Sequence, residues 1–364
     1  MSKFLVSLNK LESWFQTQKR ILPWRDNPTV YRVWISEIML QQTQVATVIP
    51  YFERFISSFP TVESLAHAVE EEVLRHWAGL GYYSRARNLQ KGAQKIVQSG
   101  RFPRTREEWL EIPGVGNYTA GAILSIANGL PEAILDGNVE RVLSRVRRVG
   151  RQKGDGPFKD RLWTLSRIFV ETAHRHGIAV SDLNQALMEL GATVCTPKKP
   201  RCGHCPLRDL CRAFAKSEVE AFPPKKKPKE WLQVQEELHC WVDSSDRVLL
   251  RRRSKGEWRA GLWDLLDVSP TKEYPQAKHL GEVETRHVVT RHKIRRRTQI
   301  WKVPRPKALG ASQLQAAESN LPGPEGWGLP PSGDLGWISI QDPEVAVGSA
   351  LRRSLDAVVR LLDQ

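Results

Sequence analysis

Four cysteines within one short segment constrain this chain more than any other feature. Cys195, Cys202, Cys205 and Cys211 follow the spacing Cys-x6-Cys-x2-Cys-x5-Cys. Thiolates are soft donors that select zinc or iron–sulfur centres. A zinc ribbon usually has two close cysteine pairs separated by a longer loop, whereas only Cys202 and Cys205 form such a pair here. The spacing therefore favours a [4Fe–4S] cluster, with a structural zinc ion as the alternative.

The charge balance indicates the class of partner. The 364 residues include 55 Lys and Arg against 40 Asp and Glu, which gives a formal net charge of +15. Such a balance favours a polyanionic partner, either nucleic acid or an anionic membrane surface. No apolar run approaches the roughly 20 residues that span a bilayer, and the N-terminal segment lacks the apolar core of a signal peptide. We expect an intracellular protein, in which clustered cysteines bind metal rather than form disulfides.

Residue patterning divides the chain into two domains joined by a linker. Residues 1–215 are predicted to form an all-α domain, because apolar residues recur at three- and four-residue spacing. Residues 216–230 are basic and rich in proline, as in an extended linker. Residues 231–364 are predicted to form an α+β domain. Its predicted strands are 236–242, 247–253, 261–268, 281–289 and 294–303, followed by a long loop within 304–335 and a helix over 344–364.

A glycine turn and an aspartate stand out in the first domain. Gly114 and Gly116 allow a tight Pro-Gly-Val-Gly turn between two helices, and its free amides can bind phosphate. An ordinary helix–helix turn is the alternative. Asp136 lies just ahead of a predicted helix, where capping of that helix is the alternative to a catalytic role.

The turn, the aspartate and the four-cysteine loop occur in the order seen in the helix–hairpin–helix DNA glycosylases with the endonuclease III type of cluster. Four motifs resemble the MutY family of adenine DNA glycosylases across most of residues 8–215. They are Pro23-Trp-Arg25, Trp34-Ile-Ser-Glu-Ile-Met-Leu-Gln-Gln-Thr-Gln44, Gly79-Leu-Gly-Tyr-Tyr-Ser84 and Asn184-Gln-Ala-Leu-Met-Glu-Leu-Gly191.

The resemblance implies a monomeric base excision repair enzyme. It would hydrolyse the N-glycosidic bond of adenine mispaired with 8-oxoguanine or guanine in double-stranded DNA. A cytoplasmic enzyme of this kind is nucleoid-associated if it is bacterial. Lyase members of the superfamily carry a lysine where this chain has Tyr118, and a phenol cannot form a Schiff base. The alternatives are a bifunctional glycosylase and lyase acting on oxidised pyrimidines, and a non-catalytic DNA-binding module.

Two carboxyl groups supply the chemistry that the resemblance implies. Glu37 is the acid that protonates the extruded adenine, and Asp136 stays ionised to stabilise the oxocarbenium-like state. Apolar neighbours such as Trp34 are expected to raise the pKa of Glu37. An exposed charge on an amphipathic helix is the alternative for Glu37. Asn138 and Tyr118 are expected to orient the carboxylates or the water.

The same resemblance assigns DNA contacts and an adenine pocket. The residues concerned are Trp24, Arg25, Leu40, Gln42, Thr43, Leu80, Gly81, Tyr82, Gly114, Val115, Gly116 and Gln185. Core packing is the alternative for Trp24 and Tyr82. Some family members carry glutamate where this chain has Gln185.

The second domain resembles the Nudix-like recognition domain of that family. The acidic Nudix helix is missing, so a recognition module without hydrolase activity is expected. Thr290-Arg291-His292 stands where the family reads Phe-Ser-His, and Arg291 replaces the serine that contacts the lesion. We therefore predict a weaker preference for 8-oxoguanine over guanine. The arginine runs 251–253 and 295–297 either raise DNA affinity or form solvated strand faces.

Overall fold

The computed structural model describes residues 2–150, 156–224, 230–254, 257, 260–272, 274–289, 291–304, 335–341, 345 and 347–363. The chain divides into two compact units. The first comprises Met1–Ala68 and Arg87–Lys227, and the second comprises Val69–Ala86 and Pro228–Gln364. The predicted loop within 304–335 and the lysine run of the linker lie outside the described residues.

The first unit is helical, as predicted. Its helices are α1 (Lys3–Gln18), α2 (Val30–Leu40), α3 (Val45–Ser58), α4 (Val62–His67), most of α6 (Ser84–Ser99), α7 (Arg106–Leu110), α8 (Asn117–Asn128), α9 (Gly137–Arg147), α10 (Gly156–Arg175), α11 (Val180–Thr193) and α12 (Arg212–Ala215). Helix α4 ends at His67 because the backbone is extended at Ala68 and Val69. Helix α5 (Glu70–Trp77) follows this break and belongs to the second unit.

Two helix pairs in the first unit bring its polar residues together. Helix α2 packs on α8, and every residue of α2 from Val33 to Met39 is buried. Helix α9 packs on α11, where Gly191 faces the start of α9. A Cβ atom at Gly191 would lie 2.6 Å from Asn138 Cβ, so only glycine permits this approach.

The second unit contains a mixed sheet and a C-terminal helix, which confirms the predicted α+β class. Its strands are β1 (Leu232–Val242), β2 (Arg247–Arg252), β3 (Trp263–Asp264), β4 (Lys278–Val289), β5 (His292–Lys302) and β6 (Leu335–Ser339). The sheet order is β3-β2-β1-β5-β4, with β6 paired to β2 and with β1 parallel to β5. The predicted strand 261–268 is only two residues long, and β6 was not predicted.

Alternation along the strands produces the core of the second unit. Leu238, Cys240 and Val242 point to one face of β1 and pack in a cluster with residues of helix α13 (Ser349–Leu362). Trp241 belongs to a separate cluster with Leu266. This period of two places alternate side chains on opposite faces of the sheet.

Within the described residues, no helix combines the length and the apolarity that crossing a membrane requires.

Candidate nucleic-acid site and cysteine loop

One cavity of the first unit collects most of the predicted site residues. Its volume is about 510 Å³, which is typical of ligand-binding clefts. The predicted residues that line it are Trp24, Arg25, Glu37, Leu40, Gln42, Thr43, Tyr118, Asp136, Asn138 and Gln185. These residues lie up to 161 positions apart in sequence, from Trp24 to Gln185, and only the helix packing brings them together.

Glu37 lies on the buried helix α2 and is only 6% exposed. Its Oε2 atom has no hydrogen-bond partner. Burial raises the pKa of Glu37 to about 7, and the charge of Asp136 adds to this effect, while Tyr118 and Arg25 oppose it. Glu37 is therefore a carboxylic acid that can give up a proton near neutral pH, not an exposed charge on an amphipathic helix.

Asp136 caps the N-terminus of α9 and also faces the cavity. Its Oδ1 atom accepts a hydrogen bond from the Val139 amide at 2.7 Å, and Oδ2 accepts one from Asn138 Nδ2 at 2.8 Å. Burial raises the pKa of Asp136, and these hydrogen bonds oppose that rise. The capping alternative is thus correct as geometry, and the cap fixes the orientation of the carboxylate.

A buried ion network forms one wall of the cavity. Arg25 donates to Gln185 Oε1 at 3.0 Å and to Glu189 Oε2 at 2.9 Å, and Arg20 donates to Glu189 Oε1 at 2.5 Å. Burial opposes ionisation of Glu189, but the hydrogen bonds from Arg20 and Arg25 lower its pKa. Sequence reasoning missed Glu189. The signal was an acidic residue four positions after Gln185 on the same helical face.

The glycine turn lies between α7 and α8, and its residues are not among those lining the cavity. Gly114 has φ +82°, and Gly116 caps α8 without a side-chain hydrogen bond to the first amides of that helix. The first turn of α8 carries no acidic residue. Val115 is buried below the turn. The helix N-terminus therefore offers backbone donors to an anion.

The segment with Leu80, Gly81 and Tyr82 belongs to the second unit. Tyr82 is 38% exposed and has φ +50°, a left-handed conformation that is uncommon outside glycine. Arg85 donates to the carbonyl oxygens of Leu80 and Gly81 at 3.2 and 3.1 Å. Its guanidinium lies 5.5 Å from the Tyr82 ring centroid. The loop is therefore ordered around an exposed tyrosine.

The predicted recognition residues are at the β4–β5 connection of the second unit. Arg291 is exposed and His292 begins β5, whereas Thr290 lies outside the described residues. In the neighbouring arginine runs, some side chains face the core and others face solvent. Arg295 and Arg297 are exposed, while Arg296 and Arg251 are buried and ion-paired. Solvated strand faces therefore do not describe Arg251 and Arg296, and a contribution of the exposed arginines to DNA affinity stays a prediction.

The four cysteines line a second cavity of the first unit, with apolar residues such as Leu190 and Val194. Burial, together with the neighbouring cysteine side chains, raises the pKa of Cys205 to about 12. Arg145 Nη1 donates to Cys195 Sγ at 3.3 Å. Four convergent sulfur donors beside a buried cation suit an anionic thiolate cluster. In the described parts of the chain, no three acidic, histidine or cysteine side chains are grouped as around a single metal ion.

Helix α9 connects the two cavities. Arg141 donates to Asn138 Oδ1 at 2.8 Å and to the Cys195 carbonyl oxygen at 2.7 Å. Arg145, one turn later, donates to the Thr196 carbonyl oxygen at 2.8 Å. The cysteine loop therefore supports the helix whose N-terminus is capped by Asp136. Neither arginine was noted from the sequence. The available signal was their spacing, because Arg141 and Arg145 follow Gly137 at intervals of four residues and so share one face of α9.

Known proteins resemble this chain in both its helical part and its cysteine loop. Residues 35–167 match the HhH-GPD superfamily of base excision DNA repair proteins. Residues 195–211 match the iron-sulfur binding domain of endonuclease III. This second match makes the predicted [4Fe–4S] cluster the cofactor of the cysteine loop.

Similar proteins include adenine DNA glycosylases of two mammals. The adenine DNA glycosylase of Mus musculus is 48% identical over 59% of this chain and 44% of its own length. That of Homo sapiens is 50% identical over 58% of this chain and 40% of its own length, so the chain spans less than half of these mammalian relatives. A thermostable thymine-DNA glycosylase structure is 28% identical, with a TM-score of 0.51 over 59% of this chain and 97% of that chain.

Several relatives match over most of their own length. The adenine DNA glycosylase of Buchnera aphidicola subsp. Baizongia pistaciae is 34% identical over 73% of this chain and 74% of its own length. With the superfamily match over residues 35–167, this relationship shows that the chain belongs to the adenine DNA glycosylase family.

Proposed function

We propose that this protein is a monofunctional DNA glycosylase of base excision repair. It hydrolyses the N-glycosidic bond of adenine mispaired with 8-oxoguanine or guanine in duplex DNA, and it acts as a monomer. The proposal rests on the surroundings of Glu37. This residue is a buried carboxyl with an unpaired oxygen and a pKa of about 7, in one cavity with Asp136.

The two carboxyl groups divide the chemistry. Adenine is a poor leaving group until a ring nitrogen is protonated, and protonated Glu37 donates that proton to the extruded base. As the bond breaks, positive charge develops on the sugar, and the Asp136 carboxylate stabilises it. Glu37, now ionised, then accepts a proton from the attacking water. Asn138 holds Asp136 in place through the hydrogen bond to Oδ2.

Tyr118 supports the monofunctional assignment. It lines the cavity with Glu37, and its hydroxyl donates to Met188 Sδ at 3.2 Å. A phenol cannot form the Schiff base by which a lysine at this position would cleave the strand. The protein therefore leaves an abasic site in an intact strand.

Three surfaces contact DNA in this proposal. The turn containing Gly114, Val115 and Gly116 presents amides of α8 to a phosphate, which suits a chain of net charge +15. Trp24, Arg25, Leu40 and Gln185 enclose the adenine. The space that the extruded adenine leaves in the duplex is contacted by Gln42 and Thr43. The loop with Leu80, Gly81 and Tyr82 also contacts the DNA.

The second domain reads the opposite base. We assign residues 1–215 to the glycosylase domain, 216–230 to a linker and 231–364 to the recognition domain, and residues 69–86 of the first domain pack in the second unit. Arg291, exposed beside His292, donates a hydrogen bond to O6, an acceptor that 8-oxoguanine and guanine share. Discrimination between these two bases is therefore weak, and Arg291→Ser strengthens it. Equal A·8-oxoguanine to A·guanine rate ratios for the two proteins would contradict this role.

The [4Fe–4S] cluster has a structural role in this scheme. When bound to Cys195, Cys202, Cys205 and Cys211, it supplies cross-links that order the basic loop around Lys198 and Lys199. No step of the hydrolysis requires it, because two carboxyl groups suffice. A repair enzyme works where the genome lies, so we infer an intracellular location, which is the nucleoid if the source organism is bacterial.

One assay separates the candidate functions. The protein is incubated with a duplex that carries adenine opposite 8-oxoguanine, and half of each sample is then heated in alkali. Strand cleavage only after alkali supports the proposal. Cleavage without alkali would indicate a lyase, and no cleavage in either half would indicate a binding module.

A further inference from the structure

Glu71, in the first turn of α5, is bound by the sheet of its own unit. Trp263 Nε1 donates to Glu71 Oε1 at 2.9 Å. Arg252 Nη1 lies 3.8 Å from Glu71 Oε2. Arg252 and Trp263 are cross-strand partners on β2 and β3. One pair of neighbouring side chains therefore holds both oxygens of a single carboxylate.

Tyr83 forms a second connection twelve residues later. Its hydroxyl donates to the Val347 carbonyl oxygen at 3.3 Å and accepts from the Gly79 amide at 3.3 Å. Val347 is in turn bridged to Trp263. The Glu71 and Tyr83 contacts, here called the two anchors, therefore meet the sheet at adjacent backbone positions.

The loop with Tyr82 lies between the two anchors. Gly79, Gly81 and Tyr82 all have positive φ, at +105°, +71° and +50°. Trp77 Nε1 donates to the Gly81 carbonyl oxygen at 3.2 Å, and the Tyr82 ring remains 38% exposed. The two glycines adopt positive φ freely, whereas Tyr82 in the left-handed region persists only where its surroundings hold it.

We propose that Glu71 and Tyr83 are positioning residues, through which the second unit holds Tyr82 in its DNA-contacting conformation. The inference rests on the proposed function, in which Tyr82 contacts DNA. An aromatic side chain that is ordered before binding loses less conformational entropy on contact with the duplex. The C-terminal sheet thereby contributes to mispair recognition at a second place besides Arg291, through a loop that its own sequence does not contain.

The first test needs no DNA. Amide hydrogen exchange is followed for residues 79–83 in the wild type, in Glu71→Ala and in Tyr83→Phe. Each protein is measured at the same interval below its own melting temperature, so that global stability does not differ. Both variants should exchange about tenfold faster in this loop, because an anchor has been lost. Glu72→Ala removes the same charge from the same helical turn and should leave exchange unchanged. Unchanged exchange in both anchor variants would overturn the proposal.

The second test asks whether the anchors act through Tyr82. Affinity is measured for a duplex with uncleavable 2′-fluoro-deoxyadenosine opposite 8-oxoguanine. Glu71→Ala should weaken binding about fivefold in the wild-type background and not at all in Tyr82→Ala, the signature of coupled residues. Glu71→Gln keeps an oxygen acceptor for Trp263 and should retain most of the affinity. Equal losses in both backgrounds would show that Glu71 acts elsewhere.

The two proposals fail separately. If the wild type leaves adenine in the A·8-oxoguanine duplex, the proposed function is wrong. The exchange measurement still decides whether the anchors order the loop.

Discussion

Two buried carboxyl groups of this protein have opposite surroundings. Glu37 in the first unit is 6% exposed, and its Oε2 atom has no partner. Asp264 in the second unit is 2% exposed, and Arg296 donates to both of its oxygens at 2.8 and 3.0 Å. Burial alone therefore does not mark a reactive group. A buried acid that no arginine pairs with directly keeps its proton to near-neutral pH, whereas one with a bidentate arginine is a structural ion pair.

The largest expected effect concerns Glu37. Glu37→Gln should lower the single-turnover rate of adenine excision by about 10³-fold, the range typical of a general acid. Binding to the uncleavable duplex should persist, because the amide keeps the size of the side chain. A variant that excises adenine within tenfold of the wild type would remove Glu37 from the mechanism and end the contrast with Asp264.

Asp264→Asn should act on stability rather than on chemistry. It leaves Arg296, which is fully buried, without half of its charge partners, and loss of one member of such a pair costs about 3–5 kcal/mol. Denaturant unfolding measures the change. Asp246→Asn, at an exposed pair with Lys302, is the control and should alter stability by less than about 0.5 kcal/mol. A stable Asp264→Asn protein would show that the Asp264–Arg296 ion pair is dispensable for folding.

The pH dependence follows from the pKa of Glu37. Because the acid must be protonated, the single-turnover rate should fall about tenfold per pH unit above about 7. The folded protein holds the Glu37 proton more tightly than the unfolded chain does. The free energy of unfolding should therefore decline as pH rises from about 4.5 to about 7, and Glu37→Gln should abolish this contribution. A rate that is constant from pH 6 to 9 would contradict the assignment.

The smallest effect is expected at the helix contact that places Asp136. Gly191→Ala puts a methyl group 2.6 Å from Asn138 Cβ, and overpacking of this kind shifts backbone at a cost of about 1–3 kcal/mol. Displacement of α9 should lower the excision rate about tenfold. Gly156→Ala, where the added atom meets open space, is the matched control. An unchanged rate would show that the Asp136 segment tolerates movement.

Local pattern sufficed for several predictions. Helical periodicity predicted the all-α class of the first unit. Cysteine spacing predicted the iron–sulfur loop, since all four ligands fall within 195–211. The Gly114–Gly116 turn was predicted correctly because a helix–helix turn depends on nearby residues alone.

Other features depended on contacts between distant segments. The buried arginine in 295–297 requires the register of β5 against β1 and β4, since parity alone does not say which face is covered. Residues 69–86 belong with the C-terminal sheet because Glu71 and Tyr83 bind residues 192 and 264 positions away in sequence. Periodicity carries no record of such contacts.

The cysteine loop and the two carboxyl groups mark what each source of information decides. The sequence by itself determined which residues are present at motif spacing, including the four thiols, Glu37 and Asp136. Only the tertiary structure decided that Glu37 is an acid, because its pKa depends on desolvation by packed helices and on the nearby charge of Asp136. It likewise decided that Arg141 joins the Asp136 segment to the cysteine loop, since its hydrogen bond to the Cys195 carbonyl oxygen, 54 residues away, exists only once α9 and α11 pack.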